Sequence, residues 1–534
     1  MESGSWGAVA AWGAAERRAV ALDENLDRVL TVASIRSTEH LRRKWPKRSA
    51  GTLNRLATVI PLLLGLLAFA SLFATQSIYV LSIIAVMPTV FRIWILMHPQ
   101  PPGDVSIYSG TLVEQLPKYS IIAPLRSEAR VVEQLLSAIE RLDYPREKLD
   151  VILVIEAEDH ETRAAITARK HRIPILVIPV PPTNPGTKPK ALSVALPFAR
   201  GEFTVIYDAE DRPEPNQLRQ ALKAFHSAGA DLACVQARLC IDTRTSWLAR
   251  FFAAEYAGHF DIFLPKLAAL GLPLPLGGSS NHFKTEILRQ IGGWDAYNVT
   301  EDADLGMRLA RFGYRADVID STTQEEAPAD VPRWLGQRTR WLKGWMQTWL
   351  VHMREPRRLF REFGLGGFLT FQLIVGGNAL VALFHSVFMI MLIHKVIALI
   401  SRDRDWAIVA ELVHYLLVAA AGYSMTAYLG WCGLSYRHER NKFRTLIWTP
   451  VHWLLLSLAA WRAAWELITK PYFWKKTEHG LDQDSRQKYR TLSLLELRRD
   501  INVLDQNGRL PQIWDAPRDS AATRRQPPLA AASG

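Results

Sequence analysis

Three carboxylates stand within four residues in the segment Val205-Ile206-Tyr207-Asp208-Ala209-Glu210-Asp211. An apolar run followed by acids is typical of a buried strand that ends at the ligand-binding edge of a sheet. Mg²⁺ or Mn²⁺ is held in such places by one or two carboxylates together with phosphate oxygens of a substrate. Asp208, Glu210 and Asp211 are therefore candidate metal ligands. A solvated acidic turn would contain the same residues, and this segment alone does not separate the two interpretations.

A second acidic group, Thr300-Glu301-Asp302-Ala303-Asp304, opens a segment whose apolar residues recur at helical spacing. Acids in a first helical turn are ordinary, because they complement the partial positive charge of the helix N-terminus. A catalytic interpretation is also open, in which Asp302 is a general base that takes a proton from an attacking hydroxyl group. Asp302, with Glu301 beside it, is therefore a candidate catalytic residue. The rest of the sequence has to decide between this interpretation and the structural one.

A third group, Gln337-Arg338-Thr339-Arg340-Trp341, lies in a stretch where tryptophans recur at helical intervals. An amphipathic helix lying on a membrane would give this pattern. Substrate binding would also give it, with Arg340 as a bidentate donor to a diphosphate and Trp341 stacked on a sugar ring. The two interpretations are compatible, and Gln337, Arg340 and Trp341 are candidate substrate-binding residues.

Short β-rich runs alternate with amphipathic helical stretches between about Tyr119 and Ala237. The strand-like runs are Tyr119–Pro124, Val151–Ile155, Ile173–Pro179 and Phe203–Asp208. This order predicts an α/β fold with a mostly parallel, doubly wound sheet. Ligands of such sheets lie beyond the carboxyl ends of the strands, which is where Asp208 stands.

Apolar stretches flank the α/β segment on both sides. The stretch Val59–Met97 carries one charge, Arg92, and at about 20 residues per span it predicts a transmembrane hairpin. Basic residues precede it, which by the positive-inside tendency keeps that side, and the α/β domain, cytosolic. These residues are Arg42, Arg43, Lys44, Lys47 and Arg48.

Three further apolar stretches follow residue 363, namely Phe368–Ile400, Trp406–Leu434 and Leu446–Ile468. The basic loop Arg437–Arg444 and the basic tail after Lys470 both indicate the cytosolic side, and both cannot hold with three spans. Either the stretch containing Gly376-Gly377 begins as an interfacial or re-entrant helix, or one apolar block crosses twice. The number of spans after residue 363 stays open.

Composition bounds the function only loosely. The chain has 534 residues, 49% of them hydrophobic, with a net charge of +12 and a mean hydropathy of 0.00, as expected for soluble and membrane parts averaged together. The positive charge suits anionic lipid headgroups or phosphorylated substrates, and charge alone would suit nucleic acid equally. Three scattered cysteines exclude a disulfide framework or a zinc knot.

Taken together, Asp-Ala-Glu-Asp, Thr-Glu-Asp and Gln-x-x-Arg-Trp, in this order and flanked by apolar stretches, resemble the processive family-2 glycosyltransferases typified by cellulose synthase and bacterial β-glucan synthases. The resemblance spans roughly residues 55 to 480. It implies a nucleotide-sugar-binding GT-A fold, inversion at the anomeric carbon, and a channel beside the active site.

The resemblance also assigns roles to single residues. Asp208 and Glu210 match the two acids of the metal and diphosphate motif, although Glu replaces the usual second Asp, and Asp211 would share that role. Asp302 matches the general base. Gln337, Arg340 and Trp341 match the acceptor and diphosphate motif.

Four less regular segments also resemble parts of the family. In Lys188–Leu192, Lys190 is the better match for a diphosphate contact, and Glu156 and Asp159 are candidates for contact with the nucleotide base. Leu276–Phe283 fits a segment near the growing chain, where glycines permit close approach, although a plain turn would look the same. Lys470–Gly480 resembles a tail motif of bacterial relatives and is assigned no chemistry.

The expected organisation is an α/β GT-A domain inserted between transmembrane helices. We expect a basic cytosolic segment (1–54), a transmembrane hairpin (55–98), a cytosolic GT-A domain ending in interfacial helices (99–362), transmembrane helices (363–470) and a partly disordered cytosolic tail (471–534). The expected location is the inner (plasma) membrane, multi-pass.

The expected reaction is polymerisation of a UDP-sugar, UDP-glucose first among them, into a β-linked polysaccharide, with Mg²⁺ or Mn²⁺ as cofactor. The expected partners are the nucleotide sugar, the growing polysaccharide and membrane lipids, with no nucleic acid. Two alternatives stay open: a non-processive transferase with a lipid acceptor, and a non-catalytic nucleotide-binding scaffold. The sugar, the linkage, the oligomeric state and any regulator are not encoded in the motifs.

Overall fold

A computed structural model describes residues 24–53, 78–99, 115–168, 171–242, 246–328, 330–401 and 406–474. All of them belong to one compact unit, Met1–Ser485. The first helix of the expected hairpin, and the expected tail from residue 475 on, lie outside the described residues.

A mixed sheet forms the centre of the α/β domain. Its strands are β1 (Tyr119–Leu125), β2 (Leu149–Glu156), β3 (Ile175–Val180), β4 (Phe203–Ile206), β5 (Arg212–Pro213), β6 (Leu232–Ile241), β7 (Asn281–Lys284) and β8 (Arg315–Glu325). They lie in the order β3-β2-β1-β4-β7-β6-β8-β5. The four strand-like runs read from the sequence correspond to β1–β4.

The sheet is mostly parallel, as expected, since β6 and β8 also pair in parallel, but two of its strands run the other way. The strands β1 to β4 pair in parallel, but β7 runs antiparallel between β4 and β6, and β5 runs antiparallel to β8. β7 has four residues, Asn-His-Phe-Lys, and neighbours on both sides hold it in place. Its sequence lacks the apolar run of a buried strand, so periodicity could not identify it.

Helices cover both faces of the sheet. The helices up to residue 352 are α1 (Glu24–Lys44), α2 (Ile78–Met97), α3 (Val132–Glu140), α4 (His160–Thr167), α5 (Lys188–Ala195), α6 (Gln217–Ser227), α7 (Trp247–Tyr256), α8 (Leu264–Ala269), α9 (Thr285–Gln290), α10 (Glu301–Arg311) and α11 (Val331–His352). Neighbouring strand residues feed two apolar layers: Ile121 and Val151 pack in one, Ile122 and Ile152 in the other. Because both faces are buried, these strands are almost continuously apolar.

Four helices follow the α/β domain: α12 (Pro356–Phe371), α13 (Gly377–Ser401), α14 (Trp406–Tyr436) and α15 (Thr449–Thr469). The backbone of α12 leaves helical geometry at Gly364, and a π-helical turn, Gln372–Gly376, joins it to α13. Within the described residues, the helical stretches Pro356–Ser401 and Trp406–Tyr436 are long and apolar enough to cross a membrane by length and composition. Many of their large apolar side chains are exposed, for example Ile397 and Leu417.

Three chain segments meet at the α/β domain although they are distant in sequence. Arg437, just after α14, forms an ion pair with Asp261. Lys343 of α11 donates to the carbonyl of Phe473, after α15, at 2.7 Å. Tyr472 donates to the carbonyl of Ala50, before α2, at 3.1 Å. The chain therefore returns to the same domain after α14 and again after α15.

Candidate active site

The carboxyl end of β4 places Asp208 beside Lys188, the first residue of α5. Lys188 Nζ lies 2.5 Å from Asp208 Oδ1 and donates to the carbonyl of Gly278 at 2.6 Å. Both side chains are largely buried, with Lys188 11% exposed and Asp208 27% exposed. Because burial weakens solvent screening, this ion pair fixes the position of the strand-end carboxylate.

The loop before β7 brings Asp302 to the same place. A Cβ atom at Gly278 would lie 3.3 Å from Asp302 Oδ2, 3.9 Å from Asp208 Oδ2 and 3.9 Å from Lys188 Nζ. Acids 94 positions apart in the chain therefore meet around one glycine. Only glycine leaves this space open, so the loop lets a ligand approach its backbone closely.

Asp211 has a structural position under the loop. Its Oδ2 accepts hydrogen bonds from the backbone N–H of Asp208, at 2.6 Å, and from the hydroxyl of Ser279. Its Oδ1 is buried and has no hydrogen-bond partner among the described residues. The Asp211 side chain thus ties the strand-end turn to the loop before β7.

Buried acids crowd this site. Burial and the charge of Asp208 raise the pKa of both Glu210 and Asp211 well above the usual range. Glu325, on β8, has a raised pKa through burial and the same acids. The pKa of Lys188 is raised despite burial, because Asp208 and Glu301 stabilise its charge. The acids outnumber this single lysine, so the site favours an additional cation.

The donor set fits a divalent cation that shares its coordination with a substrate. Asp208 and Glu210 line the same cavity and supply the one or two carboxylates that Mg²⁺ takes when phosphate oxygens complete its shell. Asp211 fits less well, since one of its oxygens already accepts two hydrogen bonds. Among the described residues, no three His, Cys, Asp or Glu side chains are arranged to hold a metal without a substrate.

Glu301 and Asp302 open α10 and differ in their proton affinity. Burial, with Asp302 as the next cause, raises the pKa of Glu301 to about 8. Burial also raises the pKa of Asp302, but a hydrogen bond from the backbone N–H of Ala303 and the charges of Lys188 and Arg340 oppose the rise. Near neutral pH Glu301 therefore holds a proton, while these contacts favour the charged form of Asp302.

α11 contributes the cationic and aromatic side of the site. Arg340 Nε and Gln337 Oε1 are buried and have no hydrogen-bond partner among the described residues. Both residues line the cavity, so their unsatisfied polar atoms are available to a ligand. The Arg340 guanidinium also stands 5.5 Å from the ring centre of Trp474, beyond α15.

Arg338, which the sequence did not single out, holds α11 against α7. Its guanidinium makes a bidentate ion pair with Glu255, with contacts of 2.8 and 2.5 Å, and lies 4.6 Å from the ring centre of Trp341. Trp341 stacks on Phe252 at 6.1 Å between ring centres. Trp334, in the same tryptophan stripe, is fully buried. Trp334 is therefore occupied by protein contacts, whereas Trp341 also lines the cavity.

One cavity of about 620 Å³ joins these groups. Its lining includes Arg126, Glu156 and Lys190, the acids and residues of α11, and also residues of the apolar helices. The last set includes Arg92, Asn378, Thr426, Leu429 and Trp453. The acidic site therefore opens directly into the space between the helices.

Three predicted substrate-binding residues have polar partners within the protein. Lys190 lines the cavity, but its Nζ donates to the carbonyls of Pro181 and Thr183, and burial lowers its pKa to about 8. Asp159 accepts from the backbone N–H groups of Ser127 and Thr162 and caps α4. Glu156 lines the cavity and pairs with Arg126 at 3.1 Å.

Lys188 is the lysine that reaches the acids, whereas the diphosphate contact assigned to Lys190 stays a prediction. Two residues along a helix turn a side chain through about 200°, so only one of the two can face the strand end. Hydropathy does not distinguish them. Lys188 faces the end of β4. Which of the two lysines does so depends on the rotation of α5 relative to the sheet, and the local sequence does not determine that rotation.

A sheet with acids at the end of β4 and a facing helix that carries arginine is the arrangement of a GT-A-like α/β glycosyltransferase, and the chain is an enzyme of this class. Residues 203–471 match the model of glycosyl transferase family group 2, and residues 120–273 match glycosyl transferase family 2. The first match covers just over half of the chain, which therefore belongs to that family.

Several relatives match about half of the chain. A probable glycosyltransferase of Bacillus subtilis, YdaM, is 26% identical over 47% of this chain and 60% of its own length. The β-monoglucosyldiacylglycerol synthase of Synechocystis sp. is 23% identical over 48% of this chain and 55% of its own. A probable glucomannan 4-β-mannosyltransferase of Arabidopsis thaliana is 23% identical, over 47% and 44%.

The chain thus spans roughly half the length of these relatives. Among solved structures, the mannosyltransferase PcManGT from Pyrobaculum calidifontis, in complex with GDP-Man and Mn²⁺, aligns with 70% of this chain and 99% of its own. Its sequence identity is 22% and the TM-score is 0.44.

Proposed function

We propose that this chain is a membrane-embedded, inverting, processive glycosyltransferase that polymerises a UDP-sugar, UDP-glucose first among them, into a β-linked polysaccharide and moves it across the membrane. The observation that carries the proposal is the continuous cavity. It contains Asp208, Asp302 and Arg340 and runs on to Asn378 and Trp453 between the apolar helices. A transferase that releases its product after one sugar has no need of such an exit.

In the proposed reaction the acceptor hydroxyl lies beside Asp302. Its oxygen attacks the anomeric carbon of the donor on the face opposite the diphosphate, and its proton passes to the Asp302 carboxylate. The new bond joins acceptor oxygen to anomeric carbon, and the bond that breaks joins that carbon to the diphosphate oxygen. Attack from the opposite face inverts the configuration and gives a β-linkage from an α-linked donor.

The departing diphosphate needs positive charge. Arg340, with a buried Nε that no described residue satisfies, would donate to its oxygens, and such charge-assisted bonds are strong in a buried site. A divalent cation, when bound at Asp208 and Glu210, would supply further neutralisation of the diphosphate. Lys188 holds Asp208 in position, and Trp341 offers an aromatic face to the acceptor sugar.

The proposal is tested by giving the purified protein, in lipid bilayers with Mg²⁺ or Mn²⁺, each common nucleotide sugar in turn. We expect a polysaccharide of many units from one of them, sensitive to one linkage-specific glycanase. The name of the Synechocystis relative, a glucosyldiacylglycerol synthase, supports the second candidate, transfer of one sugar to a membrane lipid. A glycolipid bearing one sugar as sole product would replace the first proposal by the second.

A further inference from the structure

One carboxylate on α12, that of Glu362, is shared by three arginines. Arg48 Nη2 donates to it at 3.0 Å, Arg311 Nε at 2.5 Å and Arg358 Nε at 2.8 Å. The arginines come from three elements that are distant in sequence: the short turn Pro46–Arg48, the end of α10 and the start of α12. One negative charge does not neutralise three positive charges. Glu362 with its three arginines, the Glu362 cluster, therefore carries an excess of positive charge.

Neighbouring acids do not remove this excess, because each has a cation of its own. Glu355 lies 3.1 Å from Lys47, and its distance to Arg358 is longer, 3.8 Å. On the buried side, Asp304 pairs with Arg308 at 3.0 Å. The excess positive charge therefore stays with the Glu362 cluster.

Two of the arginines are buried and incompletely hydrogen-bonded. Arg48 and Arg311 are each 5% exposed. Arg48 Nη1 and Arg311 Nη2 are buried and have no hydrogen-bond partner among the described residues. Burial, with the charge of Arg311 as the next cause, lowers the pKa of Arg48 to about 10. Buried charges are costly unless they are paired and hydrogen-bonded, so the cluster favours a further anion.

The Glu362 cluster is open to solvent on one side. The side chain of Arg358 is 51% exposed and that of Lys47 is 69% exposed. Arg357 and Arg361, on the same helix, are exposed as well. The buried arginines therefore continue into a basic surface, and an anion can approach them from that side.

The two chain segments that carry this basic surface lead into apolar stretches. The apolar run that starts at Val59 follows Arg48 closely in the sequence. α12 continues into α13, and their stretch Pro356–Ser401 is long and apolar enough to cross a membrane. Phe360 and Leu365 of α12 are exposed apolar side chains. Basic residues beside such spans lie at the level of the lipid headgroups, where phosphate groups are the anions present.

We propose that the Glu362 cluster, with Lys47, binds the headgroup phosphate of one anionic phospholipid. Arg358 and Lys47 donate to the phosphate oxygens from the exposed side, and Arg48 and Arg311 supply positive charge from the buried side. The bound phosphate then joins the segment before the first apolar stretch to α10 and α12. This inference rests on the membrane placement in the proposed function and is independent of the reaction.

The test measures lipid binding directly, without a sugar donor. The purified full-length protein in neutral detergent is titrated with short-chain phosphatidylglycerol, and bound lipid is counted by native mass spectrometry. Arg48→Gln and Arg358→Gln should each weaken binding about tenfold, the value of one interaction with a charged group. Thermal unfolding shows whether each variant folds. Arg358 is half exposed, so Arg358→Gln keeps the test available if Arg48→Gln does not fold.

Arg361→Gln is the matched control. It removes the same charge from the same helix, and Arg361 is exposed and makes no ion pair with a described residue. Its affinity for phosphatidylglycerol should stay within about twofold of wild type, because an isolated exposed charge contributes little. Short-chain phosphatidylcholine, which carries no net charge, and inorganic phosphate should both bind more weakly than phosphatidylglycerol.

Different results overturn different claims. Equal weakening in Arg358→Gln and Arg361→Gln would show attraction by surface charge alone and overturn the site, as would unchanged binding in folded Arg358→Gln. Inorganic phosphate that binds as tightly as phosphatidylglycerol and displaces it would overturn the lipid assignment in favour of a free phosphate. None of these results touches polymerisation. A wild type that binds the lipid through these arginines but makes no polymer would overturn the proposed function alone.

Discussion

Asp302 is the residue on which the proposed chemistry depends most. Its carboxylate lies close to Asp208 and Lys188 beside Gly278, which has no side chain to fill the space between them. Asp302 also lines the cavity. Asp302→Asn keeps the shape and removes the proton acceptor, so transfer should fall by about 10²–10⁴-fold. Donor binding, measured by calorimetry, should stay within a few-fold. Asp143→Asn, at an exposed ion pair with Arg219, is the matched control. Undiminished transfer in Asp302→Asn would contradict the role of Asp302 as the general base.

Glu301 gives a prediction for stability against pH. Its pKa in the folded protein is raised to about 8 from 4.5. Between these values the folded protein binds more protons than the unfolded chain, so this residue lowers stability as pH rises. Glu301→Gln removes the effect. The measurement is the difference in Tm between this variant and wild type, in the presence of EDTA. This difference should be near zero below pH 4.5, increase toward pH 8 and then stay constant. A difference independent of pH would contradict the assignment.

The sequence motifs identified the candidate site residues, and the structure brings most of these residues to one cavity. Asp208, Asp302 and Arg340 meet there, while their catalytic roles stay predictions. The side chain that faces the acids could not be read from Lys188-Pro189-Lys190, because the register of a helix against a sheet is a tertiary property. Arg338 was missed for the same reason: its partner, Glu255, is 83 positions away.

At the scale of elements, the crossing of α10 and α11 sets the distance between acid and arginine. A Cβ atom at Gly344 would lie 2.3 Å from Thr300 Oγ1, the residue just before Glu301. Gly344→Ala must therefore move α11 or the start of α10. A displacement of about 1 Å costs about 100-fold in rate, so transfer should fall by that order.

Gly366→Ala is the control for that substitution. A Cβ atom there meets the nearest atom, of Leu272, at 3.5 Å, an ordinary contact. Transfer by Gly366→Ala should equal wild type, and its Tm should not fall, because alanine is the better helix former. Equal rates for Gly344→Ala and Gly366→Ala would show that the crossing does not position the site.

Elements differ in how well the sequence reveals them. β1 to β4 are almost continuously apolar because helices cover both faces, and periodicity identified all four. β7 is short and polar, and β5 has two residues. Their place is determined by pairing with neighbours, which local sequence does not record, so the mostly parallel sheet expected from the first four strands also contains two antiparallel strands.

At the scale of the whole molecule, contacts with the α/β domain bear on membrane topology. The residues after α14 and after α15 both contact that domain. α15 packs along α11, with His452 near Trp334 at one end and Glu466 bonded to Lys343 toward the other. We propose that α13 and α14 form a membrane hairpin and that α15 lies at the interface. Basic residues on both flanks of α15 then share the cytosolic side.

Cysteine labelling in sealed vesicles tests this topology. In a Cys432→Ser background, Ser401→Cys at the end of α13 should react only with reagent on the outer side. Arg444→Cys, between α14 and α15, should react only from the side of the α/β domain. Both positions are exposed. Labelling of both from one side would contradict the hairpin.

Polymer synthesis by the reconstituted protein in sealed vesicles, with the α/β domain outside, is the decisive measurement. Given UDP-glucose and Mg²⁺ on the outside, the protein should make a β-glucan that resists added glucanase until detergent opens the vesicles, and Asp302→Asn should make none. Glucan that stays outside and is digested at once, or a one-sugar lipid as the only product of any nucleotide sugar, would contradict a synthase that passes its product through its own helices.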